Sequence, residues 1–316
     1  MVADSIRTAV VGAGAFGRNH VRHYAANPAA ALVAVVDADL ARAEALAAGH
    51  GARAFRDHRD LIGRIDAASV AAPATLHHAI ARDLIAAGIH VLIEKPLATT
   101  AADAANLVTL ARKAGVVLAV GHVERFSPAI AELERRVEHA RRITAVRRTK
   151  WSGRSADVDV VLDLMIHDID LALTLTRSPV ASVSASGVPG VSGQIDEAEA
   201  WLTFANGAIA TLSASRIADS NERRISVTEP ANAYAVDLSG PSLTVTQRRI
   251  PGAMPNQIAL TQHDNLGAEI AAFLAAVAGG PPVAVDGVAG LAAVDIAERI
   301  RTAIAENSAA VDAVTA

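Results

Sequence analysis

Residues 8–17 read Thr-Ala-Val-Val-Gly-Ala-Gly-Ala-Phe-Gly, and this stretch decides the fold of the first part of the chain. A β-rich apolar run, Thr8 to Val11, feeds directly into Gly12, Gly14 and Gly17, spaced Gly-x-Gly-x-x-Gly, after which the pattern turns helical. Gly12 permits a tight turn, Gly14 lets the backbone approach a pyrophosphate, and Gly17 lets helix and strand pack closely. The first N–H groups of the helix have no partner within it and carry the positive end of its dipole, so they offer hydrogen bonds to phosphate oxygens. Working outward, Asp37 ends a second β-rich run twenty residues beyond Gly17, where a carboxylate accepts hydrogen bonds from adenosine ribose hydroxyls. Ala38 supplies no cation for a 2′-phosphate. The stretch predicts a dinucleotide site that takes NAD in preference to NADP.

The surrounding rhythm agrees with that reading. β-rich runs at 8–11, 32–37, 67–72, 90–94 and 116–120 alternate with helical stretches such as 76–87 and 101–114, which end at Gly88 and Gly115. Repeated βαβ units predict a doubly wound parallel sheet, and the length accommodates six strands. Past Pro128 the order changes to a helix, a strand over 143–151, a second helix over 158–176 and several alternating runs. Asn206-Gly207 between runs 201–205 and 208–213 predicts a type I′ hairpin. An α+β domain with a largely antiparallel sheet follows, closed by helices over 269–277 and 288–305. The expected division is a Rossmann domain over 1–123 and a substrate-binding and oligomerisation domain over 124–316.

The chain's 316 residues exceed one ordinary core, which favours two domains. Apolar residues make up 52 %, yet only two Trp, two Tyr and five Phe are aromatic, so the excess lies in small side chains that suit close packing of helices on a sheet. With no cysteine there is no disulfide, thiolate metal site or cysteine nucleophile. A net charge of −4 and few aromatics argue against nucleic acid as a partner. The long uncharged stretch 270–285 is broken by Gly279, Gly280, Pro281 and Pro282, so no membrane span is expected. The opening residues have no basic then apolar leader, and the expected location is cytoplasmic.

Chemistry is carried by two further stretches. Glu94-Lys95-Pro96 closes the fifth β-rich run, at the strand end where α/β sheets bind ligands. An alcohol that loses hydride must also lose a proton, and a lysine there would stabilise the developing alkoxide. A surface lysine before a proline turn is the alternative these three residues leave open. The helix over 158–176 carries Asp163, His167 and Asp170 at i, i+4 and i+7, predicting three polar groups on one face of an apolar helix. Asp163 would hold the tautomer of His167, leaving its other nitrogen to take a hydroxyl proton; a structural histidine with flanking acids is the alternative. One histidine without a second ligand helix is not a metal site, so none is expected.

The glycine fingerprint, Glu94-Lys95-Pro96 and the run Asp163-Leu-Met-Ile-His167-Asp-Ile-Asp170, in that order, resemble the glucose-fructose oxidoreductase, inositol dehydrogenase and MocA (Gfo/Idh/MocA) family along essentially the whole chain. The resemblance implies a Rossmann domain joined to an open-faced mixed sheet, a nicotinamide cofactor, and oxidation or reduction of sugars, inositols or nucleotide sugars. It maps the family's lysine onto Lys95 and its aspartate and histidine onto Asp163 and His167. The expected cofactor set is Gly12, Gly14, Ala15, Phe16, Gly17, Asp37, Pro73, His78, Glu94 and Lys95. The stretches Gly121–Pro128, Trp151–Ser155 and Asp159–Asp170 are most similar to UDP-N-acetylglucosamine 3-dehydrogenases, which serve amino-sugar synthesis for lipid A; Ser127 departs from the Asn of that subgroup.

A UDP-sugar brings a diphosphate, for which Arg125, Arg154 and Arg216 are the expected partners, each having a surface or ion-pair role as its alternative. The mechanism expected is hydride transfer from C3 to NAD, with His167 taking the proton and Lys95 steadying the oxyanion. Three alternatives stay open: oxidation of a free sugar or inositol, an NAD-dependent glycosidase using transient C3 oxidation, and a non-catalytic dinucleotide sensor. Ala200, Leu202, Phe204, Ile209, Thr211 and Leu212 are expected to cover an open sheet face in a homodimer or homotetramer.

Overall fold

The computed structural model describes residues 5–315 apart from 154, 241 and 262. The chain divides into two compact units, one of residues 1–123 and 264–291 and the other of 124–263 and 292–316.

The first unit is built by βαβ repeats in chain order: β1 (Ile6–Val11), α1 (Ala15–Ala26), β2 (Ala30–Val36), α2 (Leu40–Ala47), β3 (Arg53–Phe55), β4 (Ala67–Val70), α3 (His77–Ala86), β5 (His90–Glu94), α4 (Ala101–Ala114) and β6 (Leu118–Gly121). All six strands run parallel in the order β3-β2-β1-β4-β5-β6. The order reverses between β1 and β4, where the strands' carboxyl ends open a crevice for ligands. Val10, Ala68 and Leu92 are fully buried in the central strands, as a parallel sheet covered on both faces requires. The strand that sequence periodicity left unnamed is β3, whose three residues are too few to set up a pattern.

The second unit holds α5 (Pro128–Arg136), β7 (Arg142–Arg148), a π-helical segment Val161–Met165 running into α6 (Ile166–Thr176), and then β8 (Val180–Pro189), β9 (Ile195–Phe204), β10 (Ile209–Ser215), β11 (Glu222–Thr228), β12 (Asn232–Asp237), β13 (Ser242–Gln247) and β14 (Asn256–Ala259). They form one sheet, β14-β13-β12-β11-β7-β10-β9-β8, antiparallel except for the β7/β10 pair.

The helix expected over 158–176 is thus interrupted at its start by a wide turn. The β9–β10 connection also differs from the expected type I′ turn. Gly207 has φ +81° but Asn206 has no positive φ, and the Gly207 N–H donates to Phe204 O at 2.9 Å while the Phe204 N–H donates to Ala208 O at 2.8 Å. That is a three-residue loop, a type I turn closed by a left-handed glycine.

Side chains along β9 alternate without exception from Asp196 to Phe204. Ala198, Ala200, Leu202 and Phe204 are buried, whereas Glu197, Glu199, Trp201 and Thr203 are exposed. The period-2 rule therefore corrects the expected contact surface: Ala200, Leu202, Phe204 and Leu212 fill the core, and the opposite face of the sheet is mixed and polar.

Two helices close the chain, α7 (Asn265–Val277) and α8 (Gly287–Thr315). The expected boundary at 123 is where the two units divide, but the first of these helices, α7, packs on the Rossmann unit and adds residues 264–291 to it. Ile270, Phe273 and Leu274 share one core cluster with Val21 and Tyr24 of α1, Val10 of β1 and Leu92 of β5. Burying each of these large side chains stabilises the unit by about 1.5–3 kcal/mol, which ties residues 264–291 to it despite their distance in sequence. Among the described residues no helix is long and apolar enough to cross a membrane.

Candidate functional site

The cradle for a dinucleotide lies at the β1–α1 turn. Gly12 has φ +106°, and a Cβ there would stand 2.5 Å from Ala71 O; a Cβ on Gly17 would stand 1.7 Å from Gly12 O. Both positions exclude any side chain. A Cβ on Gly14 would meet nothing within 4 Å, so that glycine keeps space open on the ligand side. Gly14 is the N-cap of α1 and offers no side-chain acceptor, which leaves the first helical N–H groups available to an anion. Ala15 and Phe16 are exposed at the same turn, Phe16 at 48 %.

Asp37 follows β2, and its carboxylate is fixed by backbone donors: the Ala13 N–H donates to Oδ2 at 2.8 Å and the Asp39 N–H to Oδ1 at 2.9 Å. A carboxylate has about four acceptor positions, so capacity remains for ribose hydroxyls. A cleft of about 960 Å³ beside Gly14, lined by Arg18, Arg22 and Arg42 among others, gives this region a positive field suited to an anionic cofactor. An open cradle, exposed helix N–H groups and a fixed acid fit NAD.

Glu94 and Lys95 stand at the end of β5, joined to Pro96 by a cis peptide bond. Their surroundings contain two histidines that the sequence reading passed over. His20, fully buried on α1, donates through Nε2 to Glu94 Oε1 at 2.7 Å and accepts through Nδ1 from Ser69 Oγ at 3.0 Å, and the Tyr24 hydroxyl lies 2.8 Å from the same Ser69 Oγ. With one tautomer every group in this chain is satisfied. Burial pushes the Glu94 carboxyl up, but the His20 hydrogen bond and the charge of Lys95 outweigh it and hold Glu94 below its ordinary value. His77 stands 2.7 Å from Pro96 O and 2.9 Å from Ala72 O, tying the β4 and β5 loops together. Neither histidine has a local signal, because their partners lie up to 74 residues away. Pro73 is exposed just past β4, and His78 on α3 donates to Asn106 Oδ1 at 2.9 Å.

In the second unit, Asp163 lies within the π-helical segment and His167 follows in the first turn of α6, both half-buried. Asp159 caps this segment, accepting from the N–H groups of Val161 and Leu162 at 3.0 and 3.1 Å. Single π turns inside helices recur at functional sites. Of the expected trio, Asp163 lies inside the wide turn, whereas His167 and Asp170 follow it on α6. Asp170 is buried and ion-paired with Arg125 at 3.6 Å. Neighbouring Asp168 is buried against Arg147 at 3.0 Å; burial pushes its carboxyl above the ordinary value.

One of the three arginines expected on a diphosphate is committed inside the fold. Arg216, 2 % exposed, donates to Asp196 Oδ1 at 2.6 Å, Ser155 O at 3.0 Å, Val158 O at 2.8 Å and Ser192 Oγ at 2.9 Å. Its Nη1 also stands 3.8 Å from Asp163 Oδ2, and its Cζ lies over the Trp151 ring, 5.3 Å from the centroid. Arg125 donates to Thr174 Oγ1 and faces Asp170 and Glu134. The Arg216 guanidinium, buried and spent on internal acceptors, cannot also grip a ligand, whereas Arg125 is only half-buried. Arg154 lies outside the described residues.

A glycine cradle at a helix N-terminus, an acid after the second strand and a lysine at the end of the fifth define an NAD-binding Rossmann oxidoreductase. Residues 6–122 match the family model described as "Oxidoreductase family, NAD-binding Rossmann fold", and residues 130–229 match the GFO/IDH/MocA C-terminal domain. The chain belongs to the Gfo/Idh/MocA oxidoreductase family, and its cofactor is NAD. It is 38 % identical over 306 residues to the UDP-N-acetylglucosamine 3-dehydrogenase of Acidithiobacillus ferrooxidans, covering 95 % of this chain and 97 % of that one. A solved structure of UDP-N-acetylglucosamine 3-dehydrogenase GnnA from the same organism superposes with a TM-score of 0.89 at 37 % identity, covering 95 % and 98 % of the two chains. The inositol 2-dehydrogenase of Rhizobium meliloti is 28 % identical over 322 residues, 96 % of this chain and 98 % of that one.

Proposed function

We propose that this chain oxidises C3 of UDP-N-acetylglucosamine to a 3-keto sugar nucleotide. The observation that carries the reading is the near full-length likeness to the UDP-N-acetylglucosamine 3-dehydrogenase of A. ferrooxidans. NAD, when bound, supplies the hydride acceptor. The N–H groups of Ala15, Phe16 and Gly17 hold its pyrophosphate, Asp37 accepts from its ribose hydroxyls, and Pro73, His78 and Glu94 complete its contacts. His167 takes the proton from the sugar O3 as the C–H bond breaks, Asp163 keeps the imidazole oriented, and Lys95 stabilises the negative charge that develops on O3. Arg125 and Arg154 are the arginines proposed for the diphosphate. Glu94 is a positioning residue: held by His20, it sets the backbone of its neighbour Lys95.

We further propose that the chain works in the cytoplasm as a homodimer or homotetramer through the polar face of its eight-stranded sheet, where Trp201 is 44 % exposed. The 3-keto product is the substrate an aminotransferase requires on the way to the amino sugars of lipid A. The test is NADH formation from NAD with UDP-N-acetylglucosamine, N-acetylglucosamine, glucose and inositol in parallel, with a reoxidising partner to draw the equilibrium forward. Turnover with the UDP-sugar alone is expected; turnover with inositol or a free sugar in its place would overturn the substrate.

A further inference from the structure

Trp151 is 38 % exposed, and it is held rather than loose. The loop that carries it starts where the Thr149 N–H donates to Ser215 O at 2.8 Å and Thr149 O accepts from the Ala218 N–H at 3.1 Å. Further along, Ser155 O and Val158 O are both bonded by Arg216. Beneath the indole stands the guanidinium of Arg216, 5.3 Å from the ring centroid, itself immobilised by four hydrogen bonds. The same guanidinium reaches to 3.8 Å from Asp163, so the ring and the Asp163 carboxylate are separated by one guanidinium. A large aromatic surface left open at that spot is a recognition surface in waiting, since an indole backed by a cation gains little from solvent.

We infer that Trp151 is a specificity-determining residue, the wall against which the C2 acetamido group of the sugar packs. The inference rests on the reading that Asp163 and His167 act at C3. C2 and C4 both adjoin C3, and of their two substituents only the C2 acetamido group has an apolar face to offer a ring one guanidinium away from Asp163, whereas the uracil stands beyond the diphosphate. An acetamido group is planar and ends in a methyl, so it offers an apolar face to the indole, and the indole N–H is a donor for its carbonyl. A hydroxyl at C2 offers neither.

The test is calorimetric binding of UDP-N-acetylglucosamine and UDP-glucose to the NADH-saturated enzyme, where no turnover intervenes, in the wild type, Trp151→Ala and Trp151→Phe. The wild type is expected to favour the acetamido sugar by about tenfold, the size of one good stacking contact. In Trp151→Ala the preference should fall below about twofold, with UDP-glucose affinity unchanged, and Trp151→Phe should retain part of it. Loss of affinity for both ligands alike, or a preference that survives Trp151→Ala, overturns the inference. Should Trp151→Ala fail to fold, a full preference in Trp151→Leu, which keeps apolar bulk without a ring, overturns it equally, and a lost preference there supports it. A wild type that turns over UDP-N-acetylglucosamine while ignoring these substitutions sinks only the inference. A wild type that neither binds nor oxidises that sugar sinks the function on which it rests.

Discussion

Gly14 and Gly17 stand three residues apart and answer to different constraints. A methyl on Gly17 would sit 1.7 Å from Gly12 O, so Gly17→Ala must break the β1–α1 turn; destabilisation by at least about 3 kcal/mol and loss of NAD binding are expected in thermal melts and cofactor titration. A methyl on Gly14 meets no protein atom, so Gly14→Ala should melt within about 0.5 kcal/mol of the wild type while NAD affinity falls at least about tenfold. Equal effects of the two substitutions on stability would refute the distinction. The glycines, Asp37 and Lys95 are legible in the sequence because their meaning lies in spacing along one strand and the turn that follows. Arg216 is not legible that way. Its partners Asp196, Ser155 and Val158 lie 20, 61 and 58 residues away, and only the fold turns a plausible ligand arginine into an internal one.

At the level of elements, periodicity found the helices and most strands but not which core each one joins. The apolar face of α7 reads the same whichever sheet it covers, and its attachment to the first unit rests on Ile270, Phe273 and Leu274 meeting α1. The same packing buries Glu269, neither of whose carboxyl oxygens has a hydrogen-bond partner among the described residues. Burial, together with the nearby charge of Glu94, raises its pKa well above the ordinary 4.5. The native state therefore holds this proton more tightly than the unfolded chain, and stability is lost as pH rises from the ordinary carboxylate range through the raised native value. Glu269→Gln keeps the neutral shape and removes that slope. Its melting temperature should match the wild type near pH 4 and exceed it increasingly toward pH 8; a constant offset across that range would show that Glu269 is charged in both states. A second miss belongs here too, since the π turn at Val161–Met165 has no sequence signature, and it holds Asp163 while His167 and Asp170 follow it on α6.

Over the whole molecule, the groups proposed for cofactor and catalysis come from both units. The parallel sheet presents a cradle, a ribose acceptor and Lys95 at its strand ends, and the antiparallel sheet carries the helix that presents Asp163 and His167. Fold class and family were legible from the first residues onward, because βαβ alternation and the Gly-x-Gly-x-x-Gly turn are local patterns. The assignment of residues 264–291 to the first unit was not, since it depends on contacts between distant segments. The central claim is that hydride leaves C3 of a nucleotide sugar and stays on the nicotinamide. The most direct measurement is a reaction of NAD with UDP-N-acetylglucosamine deuterated at C3, followed by mass analysis of cofactor and sugar. Deuterium on the NADH formed and none at C3 of the product is the predicted result; NADH without the label, or label returned to a sugar that has lost its UDP, would contradict it.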